Sequence, residues 1–131
     1  MNEKIKLSGR ELDVMNVLWE SSNPIIAKEI TELNSSLSIN TVQAVLKGLL
    51  KNQYIKVADI VYSGTVLTRS YTPILSADEY MANQIANGFH NKRVSAEGIV
   101  AALLKNEESE ETLDKLEEIL KQHRVNRNKG E

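Results

Sequence analysis

The chain has 131 residues, of which 41% are hydrophobic and 26% charged, with a formal net charge of -2, so it is neither disordered nor built of two large domains. The absence of cysteine excludes disulfides, thiolate metal sites and cysteine nucleophiles. No apolar stretch approaches the roughly 20 residues of a membrane span, and the first residues lack the apolar run of a signal peptide, so a cytoplasmic location without membrane contact is expected.

The first predicted helix begins at Ser8, because Ser8 and Glu11 have the spacing of a capping box. Apolar residues on one face continue it, and Pro24 ends it because the residue before a proline avoids helical geometry. A second helix of about two turns follows, carried by apolar residues at positions 26, 30 and 33. Residues 34–38 then form a turn. Three helices with short breaks predict a helix-turn-helix, in which the second and third helices of the chain are joined by this turn.

The third predicted helix begins at Ser38, a natural N-cap. Its apolar residues recur at helical spacing and predict one buried face: Val42, Val45, Leu46, Leu49 and Leu50. Its opposite face carries short polar, amide and basic side chains: Asn40, Thr41, Gln43, Ala44 and Lys47. Residues 38–56 contain three lysines and no acid, although the whole chain is acidic. These side-chain types read base edges and hold phosphates.

A β-hairpin is predicted directly after the third helix. Residues 54–62 and 66–74 are rich in Ile, Val, Tyr and Thr, and Gly64 between them allows a tight reversal. A hairpin in this position is the wing of a winged helix. Arg69 and Lys56 on this wing could reach a DNA phosphate. The fold class predicted is mainly α with a small β-hairpin.

A second capping box, Ser76 with Glu79, opens a C-terminal segment of three short helices. Helices this short cannot bury their apolar faces alone, so we expect them to form a homodimer. The predicted dimer contacts are Tyr80, Ile85, Phe89, Ile99, Leu103, Leu113, Leu116 and Leu120. The predicted domains are therefore a winged-helix DNA-binding domain (1–75), a helical dimerisation domain (76–124) and a flexible tail (125–131).

DNA binding is the function that this order of elements favours. Residues 1–75 carry 8 basic and 7 acidic side chains, against 8 and 11 in residues 76–131, so the basic excess lies on the predicted head. The predicted DNA-binding residues are Ser38, Asn40, Thr41, Gln43, Ala44, Lys47, Lys51 and Arg69. A plain solvated helix face is the alternative for an isolated helix of this kind. Catalytic motifs, a metal-ligand cluster and a cofactor-binding motif are absent, so an enzyme is not expected and neither metal nor cofactor is predicted.

Three segments of the chain resemble the penicillinase-repressor family. They are Leu7–Trp19, Ala27–Ile30 and Leu37–Leu49. Two patterns are the most specific. The first, in the first helix, is Val14-Met15 followed by Trp19, and the second, at the start of the third helix, is Ser38 followed by Thr41-Val42. The resemblance covers nearly the whole chain. It implies a dimeric winged-helix repressor that binds a dyad operator, often of TACA/TGTA type, through its head and dimerises through its C-terminal helices.

The chain departs from the family pattern at three places. Relatives often carry basic residues at the positions of Asn40, Gln43 and Gly48, so the operator sequence cannot be transferred. The Asn-Phe bond that is cleaved in antibiotic-responsive members corresponds to residues 101–103, which read Ala-Ala-Leu. The cysteine pair of copper-responsive members is missing. An inducer or a protease of unknown identity therefore stays open as a further partner besides double-stranded DNA and a second copy.

A protein of another class is the alternative interpretation. A winged helix that has lost DNA binding could serve as a protein-interaction module. The replacement of basic residues by Asn40, Gln43 and Gly48 is the feature that favours it.

Overall fold

The computed structural model describes residues 5–87 and 93–130. The chain forms two compact units that divide after residue 88, the head (described residues 5–87) and the C-terminal unit (93–130). The elements of the head are α1 (Gly9–Glu20), β1 (Ile25–Ile26), α2 (Ala27–Leu33), α3 (Ile39–Lys51), β2 (Ile55–Ser63), β3 (Val66–Pro73) and α4 (Ala77–Asn87). Those of the C-terminal unit are α5 (Ala96–Leu104) and α6 (Glu110–Lys129).

The helices begin where the sequence predicted. The Ser8 hydroxyl accepts from the Glu11 N–H at 3.3 Å, and the Glu11 carboxylate accepts from the Ser8 N–H at 2.8 Å, which confirms the first capping box. Ser76 and Glu79 make the same reciprocal pair at 3.0 and 3.1 Å before α4. Ser38 caps α3 by accepting from the Thr41 N–H at 3.1 Å. Each cap satisfies backbone donors that the first helical turn leaves unpaired.

The core of the head lies between α1, α2, α3 and the sheet. Its largest fully buried side chains are Met15, Leu18, Ile30, Leu46, Leu49, Ile55, Val14 and Val42. The predicted apolar face of α3 is confirmed, because Val42, Leu46 and Leu49 are buried while Val45 and Leu50 are half-buried and pack against the core. Burying one such side chain contributes about 1.5–3 kcal/mol, so this face fixes which side of α3 remains in solvent.

The sheet has the strand order β1-β3-β2 and is antiparallel throughout. The predicted hairpin is confirmed as β2 and β3, and Gly64 between them adopts the left-handed region with φ +64°. The two-residue strand β1 was not predicted, because a segment this short has no detectable period. It pairs Ile25 with Tyr71 and thereby holds the start of α2 against the hairpin.

The first compact unit extends beyond the predicted boundary at residue 75 and includes α4. Tyr80 is 8% exposed, and its ring centroid lies 5.7 Å from that of Trp19 in α1. The Asn83 carboxamide oxygen accepts from the Ile5 N–H at 3.1 Å. This packing places the side chain of Tyr80, which the sequence predicted as a dimer contact, in the core of the head. An apolar residue in an amphipathic helix does not reveal which surface it covers.

The C-terminal unit contains α5 and α6, each begun by a serine cap. Ser95 accepts from the Gly98 N–H at 3.1 Å, and Ser109 accepts from the Thr112 N–H at 3.2 Å. The helix α6 continues to Lys129 and thus runs through most of residues 125–131, the segment that the sequence predicted as a flexible tail. Residues 121–129 lack an apolar period, yet they contain neither glycine nor proline, and basic side chains in a last turn favour a helix.

Candidate nucleic-acid interface

Five of the predicted DNA-binding residues form one exposed stripe along α3. They are Asn40, Gln43, Ala44, Lys47 and Lys51, which all lie on the solvent-facing side. Their spacing of three, four, seven and eleven residues places them on one helix face, opposite the buried Val42 and Leu46. At a rise of about 1.5 Å per residue the stripe is about 16 Å long. Its amides lie towards the helix N-terminus and its cations towards the C-terminus.

The N-terminal end of the stripe is held by Ser38 and Thr41. The Ser38 hydroxyl accepts from the Thr41 N–H at 3.1 Å and donates to the Thr41 hydroxyl oxygen at 3.0 Å. Because the Thr41 oxygen accepts this bond, its own hydroxyl proton can be donated to an acceptor outside the protein. The unpaired N–H groups and the dipole of the helix N-terminus also favour an anion at this end.

The C-terminal end of α3 turns sharply into the wing through Gln53. The Gln53 N–H donates to the Leu50 carbonyl and the Tyr54 N–H to the Leu49 carbonyl, both at 3.0 Å, which is the Schellman pattern of helix termination. Gln53 has φ 63°, a left-handed conformation that glycine normally supplies at this position. The strain is retained because the two hydrogen bonds and the half-buried Tyr54 fix the path of the chain.

Arg69 and Lys56 are exposed on the wing, on β3 and β2 respectively. Arg69 lies opposite Ile60, and Leu67 lies opposite Tyr62, so these four side chains share one face of the hairpin. In the described residues neither a hydrogen bond nor an ion pair connects Arg69 to α3. The structure thus brings the α3 residues together and leaves Arg69 on a separate element.

The wing face around Arg69 is apolar, which sequence reasoning missed. Ile60, Tyr62 and Leu67 are 60%, 72% and 57% exposed, and Val66 beside the turn is exposed as well. The opposite face carries the buried Ser70, whose hydroxyl donates to the Asp59 carbonyl at 3.2 Å. Strand residues of this type usually face a core, so their exposure could not be detected from the pattern of the hairpin alone.

The predicted dimer contacts have different surroundings in the structure. Tyr80 lies in the head core, Ile85 is exposed on α4, and Phe89 falls outside the described residues. In the C-terminal unit Ile99, Leu113 and Leu116 are half-buried, while Leu103 and Leu120 are exposed. An open apolar groove of about 510 Å³ lies between α5 and α6, and its lining includes Val100, Leu104, Leu113, Leu116 and Leu120. None of residues 93–130 is buried.

Acidic and histidine side chains do not assemble into a metal site in the part of the chain that the structure describes. Over residues 5–87 and 93–130, every helix is too short or too polar to cross a lipid bilayer.

The head has the arrangement of a winged helix-turn-helix: a short helix, a turn, a third helix with one exposed polar face, and a β-hairpin. The model of the family described as "Penicillinase repressor" matches residues 7–122. The chain therefore belongs to the penicillinase-repressor family, whose members are DNA-binding transcriptional regulators. No curated protein matches the chain significantly.

The chain is similar to several solved transcriptional regulators. ZitR of Lactococcus lactis, solved as a point mutant, is 17% identical with a TM-score of 0.46 over 94% of this chain and 79% of that one. A MarR/EmrR family regulator from Acinetobacter sp. ADP1 is 20% identical, with a TM-score of 0.43 and coverages of 94% and 78%. MarR of Staphylococcus aureus, in complex with salicylate and kanamycin, is 14% identical, with a TM-score of 0.42 and coverages of 95% and 75%.

Proposed function

We propose that the protein is a homodimeric repressor that binds a dyad operator and inserts α3 of each subunit into the major groove. The observation that carries this proposal is the single exposed stripe of amides and lysines on α3, whose opposite face is fixed in the core. A recognition helix needs this combination, because a rigid anchor presents side chains of defined chemistry to base edges and phosphates.

The residues of the stripe have separate roles in the proposal. Asn40 and Gln43 carry carboxamides, which can bind the N6 and N7 groups of adenine in a bidentate manner. Thr41 contacts a phosphate or a thymine methyl group, and the Ala44 methyl group also suits thymine. Lys47 and Lys51 contact phosphates. Ser38 keeps Thr41 in position, and Arg69 adds a phosphate contact from the wing.

The homodimer is supported by the surface of the C-terminal unit. Leu103 and Leu120 are 71% and 63% exposed, and the apolar groove between α5 and α6 is open. Monomeric soluble proteins rarely leave a contiguous apolar surface of this kind uncovered, and a second copy of the chain would cover it. Two-fold symmetry would then place the two half-sites about one helical turn apart, near 10 base pairs from centre to centre.

A DNA titration at low and high salt tests this function. The full-length protein is titrated with DNA from upstream of its own gene and with a scrambled duplex of equal length. Strong binding that selects the upstream DNA and weakens with salt supports the repressor, because released counterions make phosphate contacts salt-dependent. The absence of binding even at low salt contradicts it.

The apolar wing supports one second candidate function, a protein-interaction module. Ile60, Tyr62 and Leu67 present an exposed apolar face beside a single cation, Arg69, which suits a protein surface better than a phosphate backbone. The same titration distinguishes the two functions. If a double variant Ile60→Ser and Leu67→Ser retains full DNA affinity, the wing face does not contact the operator and is available to a protein partner.

A further inference from the structure

The charges of α6 are separated along its length. Residues 110–118 contain five acids and one base, whereas residues 121–129 contain four bases and no acid. The acids are Glu110, Glu111, Asp114, Glu117 and Glu118, and the bases are Lys121, Arg124, Arg127 and Lys129. The helix thus has an acidic half and a basic half of about equal length.

Helix stability alone does not account for this separation. The helix dipole acts on charges within the first and last turns, but Glu117, Glu118 and Lys121 lie in the middle of this 20-residue helix. Pairing within the helix does not account for it either. In the described residues α6 has one ion pair, between Lys115 and Glu111 at 3.4 Å, and the four bases of the basic half form none within 4.0 Å.

The separated charges flank the apolar face that lines the groove. Leu113, Leu116 and Leu120 lie on one face of α6 at spacings of three and four residues, and all three line the groove with α5. Leu120 also lines a second hollow of about 220 Å³ together with Glu117, Lys121 and Arg124. A partner that covers the apolar face would therefore contact an acidic flank in one half and a basic flank in the other.

We propose that a second copy of the chain occupies this face with its α6 antiparallel to the first, so that the acidic half of each helix lies along the basic half of the other. A two-fold axis that crosses α6 at the level of Ile119 brings position 114 near 124 and 117 near 121 of the second copy. Each of these pairs joins an acid to a base. A parallel arrangement would bring like charges together at the same positions. This inference rests on the proposed homodimer and specifies its orientation.

Charge reversal in the full-length protein tests the orientation. Asp114→Lys and Arg124→Glu each replace two symmetric attractions with repulsions, so each is expected to raise the dimer dissociation constant roughly 5- to 30-fold. The double variant in one chain restores the complementary pairs and is expected to return close to the wild-type value. Positions 114 and 124 are about 15 Å apart on the same helix, so the restoration cannot arise within one chain. Lys115→Glu, on the opposite side of α6, is the matched control and should leave the dissociation constant near that of the wild type.

Disulfide cross-linking tests the orientation of the two helices without relying on interaction energies. Any cross-link must involve the introduced cysteines, because the natural chain has no cysteine. Asp114→Cys and Arg124→Cys chains are expected to form a disulfide when mixed and oxidised, while neither cross-links to itself. Self-cross-linking of each variant alone, with little mixed product, would show parallel helices and overturn the inference while retaining the homodimer. A wild-type protein that is monomeric by light scattering at all concentrations would overturn the homodimer and the orientation together.

Discussion

At the level of single residues, Gln43 and Lys47 lie one turn apart on the exposed stripe of α3 and have different chemistry. We predict that Gln43→Ala loses about 1–3 kcal/mol on the cognate operator and relaxes the preference at one base pair, because a carboxamide reads adenine directly. Lys47→Ala should weaken binding to all sequences equally and reduce the slope of log K against log salt by about one, because it removes one phosphate contact.

Both variants are measured by salt titration on the operator and on a panel of single base-pair changes. Gln122→Ala and Lys105→Ala are the matched controls, since they make the same chemical changes in the C-terminal unit. A uniform loss for Gln43→Ala would remove Gln43 from the base-reading residues. A salt slope unchanged by Lys47→Ala would remove Lys47 from the phosphate contacts.

Two glycines of the head should respond in opposite directions to the same substitution. Gly48 is inside α3, and a Cβ built there meets no atom within 4 Å, so Gly48→Ala should stabilise the protein by about 0.5–1 kcal/mol. Gly64 has φ +64° in the wing turn, so Gly64→Ala should destabilise it by about 1–2 kcal/mol. Urea unfolding of both variants at one protein concentration measures these changes. If both variants change the free energy of unfolding in the same direction, either the helical backbone at Gly48 or the left-handed backbone at Gly64 is contradicted.

The open space at Gly48 also bears on how the head binds DNA. The position lies beside the exposed stripe, and the family resemblance implies a basic residue there in many relatives, yet a Cβ at Gly48 meets no atom within 4 Å. The missing cation is thus a property of the sequence rather than a steric necessity. In the proposed complex with an operator, the amides at positions 40 and 43 contribute more to the selection of a sequence than to the overall affinity.

At the level of elements, α4 belongs to the head through Tyr80. Tyr80 is 8% exposed and contacts Trp19, whereas the adjacent Met81 is 56% exposed. We predict that Tyr80→Ala destabilises the head by about 3 kcal/mol, and that Met81→Ala changes its stability by no more than about 0.5 kcal/mol. Unfolding is followed by the fluorescence of Trp19, the single tryptophan.

Dimerisation provides the second measurement for these α4 variants. Because the Tyr80 side chain is buried within one chain, Tyr80→Ala should leave the dimer dissociation constant unchanged under conditions where the head remains folded. If Tyr80→Ala leaves the head stable but weakens the dimer, Tyr80 is a dimer contact, as the sequence predicted.

Hydrogen bonds connect α4 and the end of the wing to the remainder of the head. The Trp19 indole N–H donates to the Leu75 carbonyl at 2.9 Å, and the Gln84 carboxamide donates to the Ile5 carbonyl at 2.8 Å. The Ile74 N–H donates to the Tyr54 carbonyl at 2.8 Å, which ties the end of the hairpin to its beginning. These contacts make the wing and α4 parts of one folded unit.

At the level of the whole molecule, the chain divides after residue 88, so we expect the head to fold without the C-terminal unit. We predict that a protein ending at Asn87 is a folded monomer by light scattering and binds the dyad operator about 100-fold more weakly, because two linked heads bind as one bivalent ligand. A protein ending at Ser76 is the comparison. It lacks Tyr80 and Asn83 and should be less stable. A truncated protein that remains dimeric would contradict the proposed division of roles.

The sequence by itself determined the helices and the hairpin of this protein, but not the short strand β1, and it determined the face of α3 that stays in solvent. Capping serines at positions 8, 38, 76 and 109, the glycine of the hairpin turn and the period of the apolar residues are local signals, and each acts within a few residues of the chain. The stripe from Asn40 to Lys51 was predictable for the same reason, since burial of one helix face exposes the other.

Only the tertiary structure decided which surfaces the elements share. Tyr80 could have packed on Trp19 or on a second chain, and Ile60, Tyr62 and Leu67 could have faced a core, since the apolar pattern is the same in each case. The pairing of β1 with β3 and the left-handed Gln53 likewise depend on contacts with residues distant in the chain or on strain held by the surrounding fold. Local chemistry specifies an element and its faces, and long-range packing specifies what each face contacts.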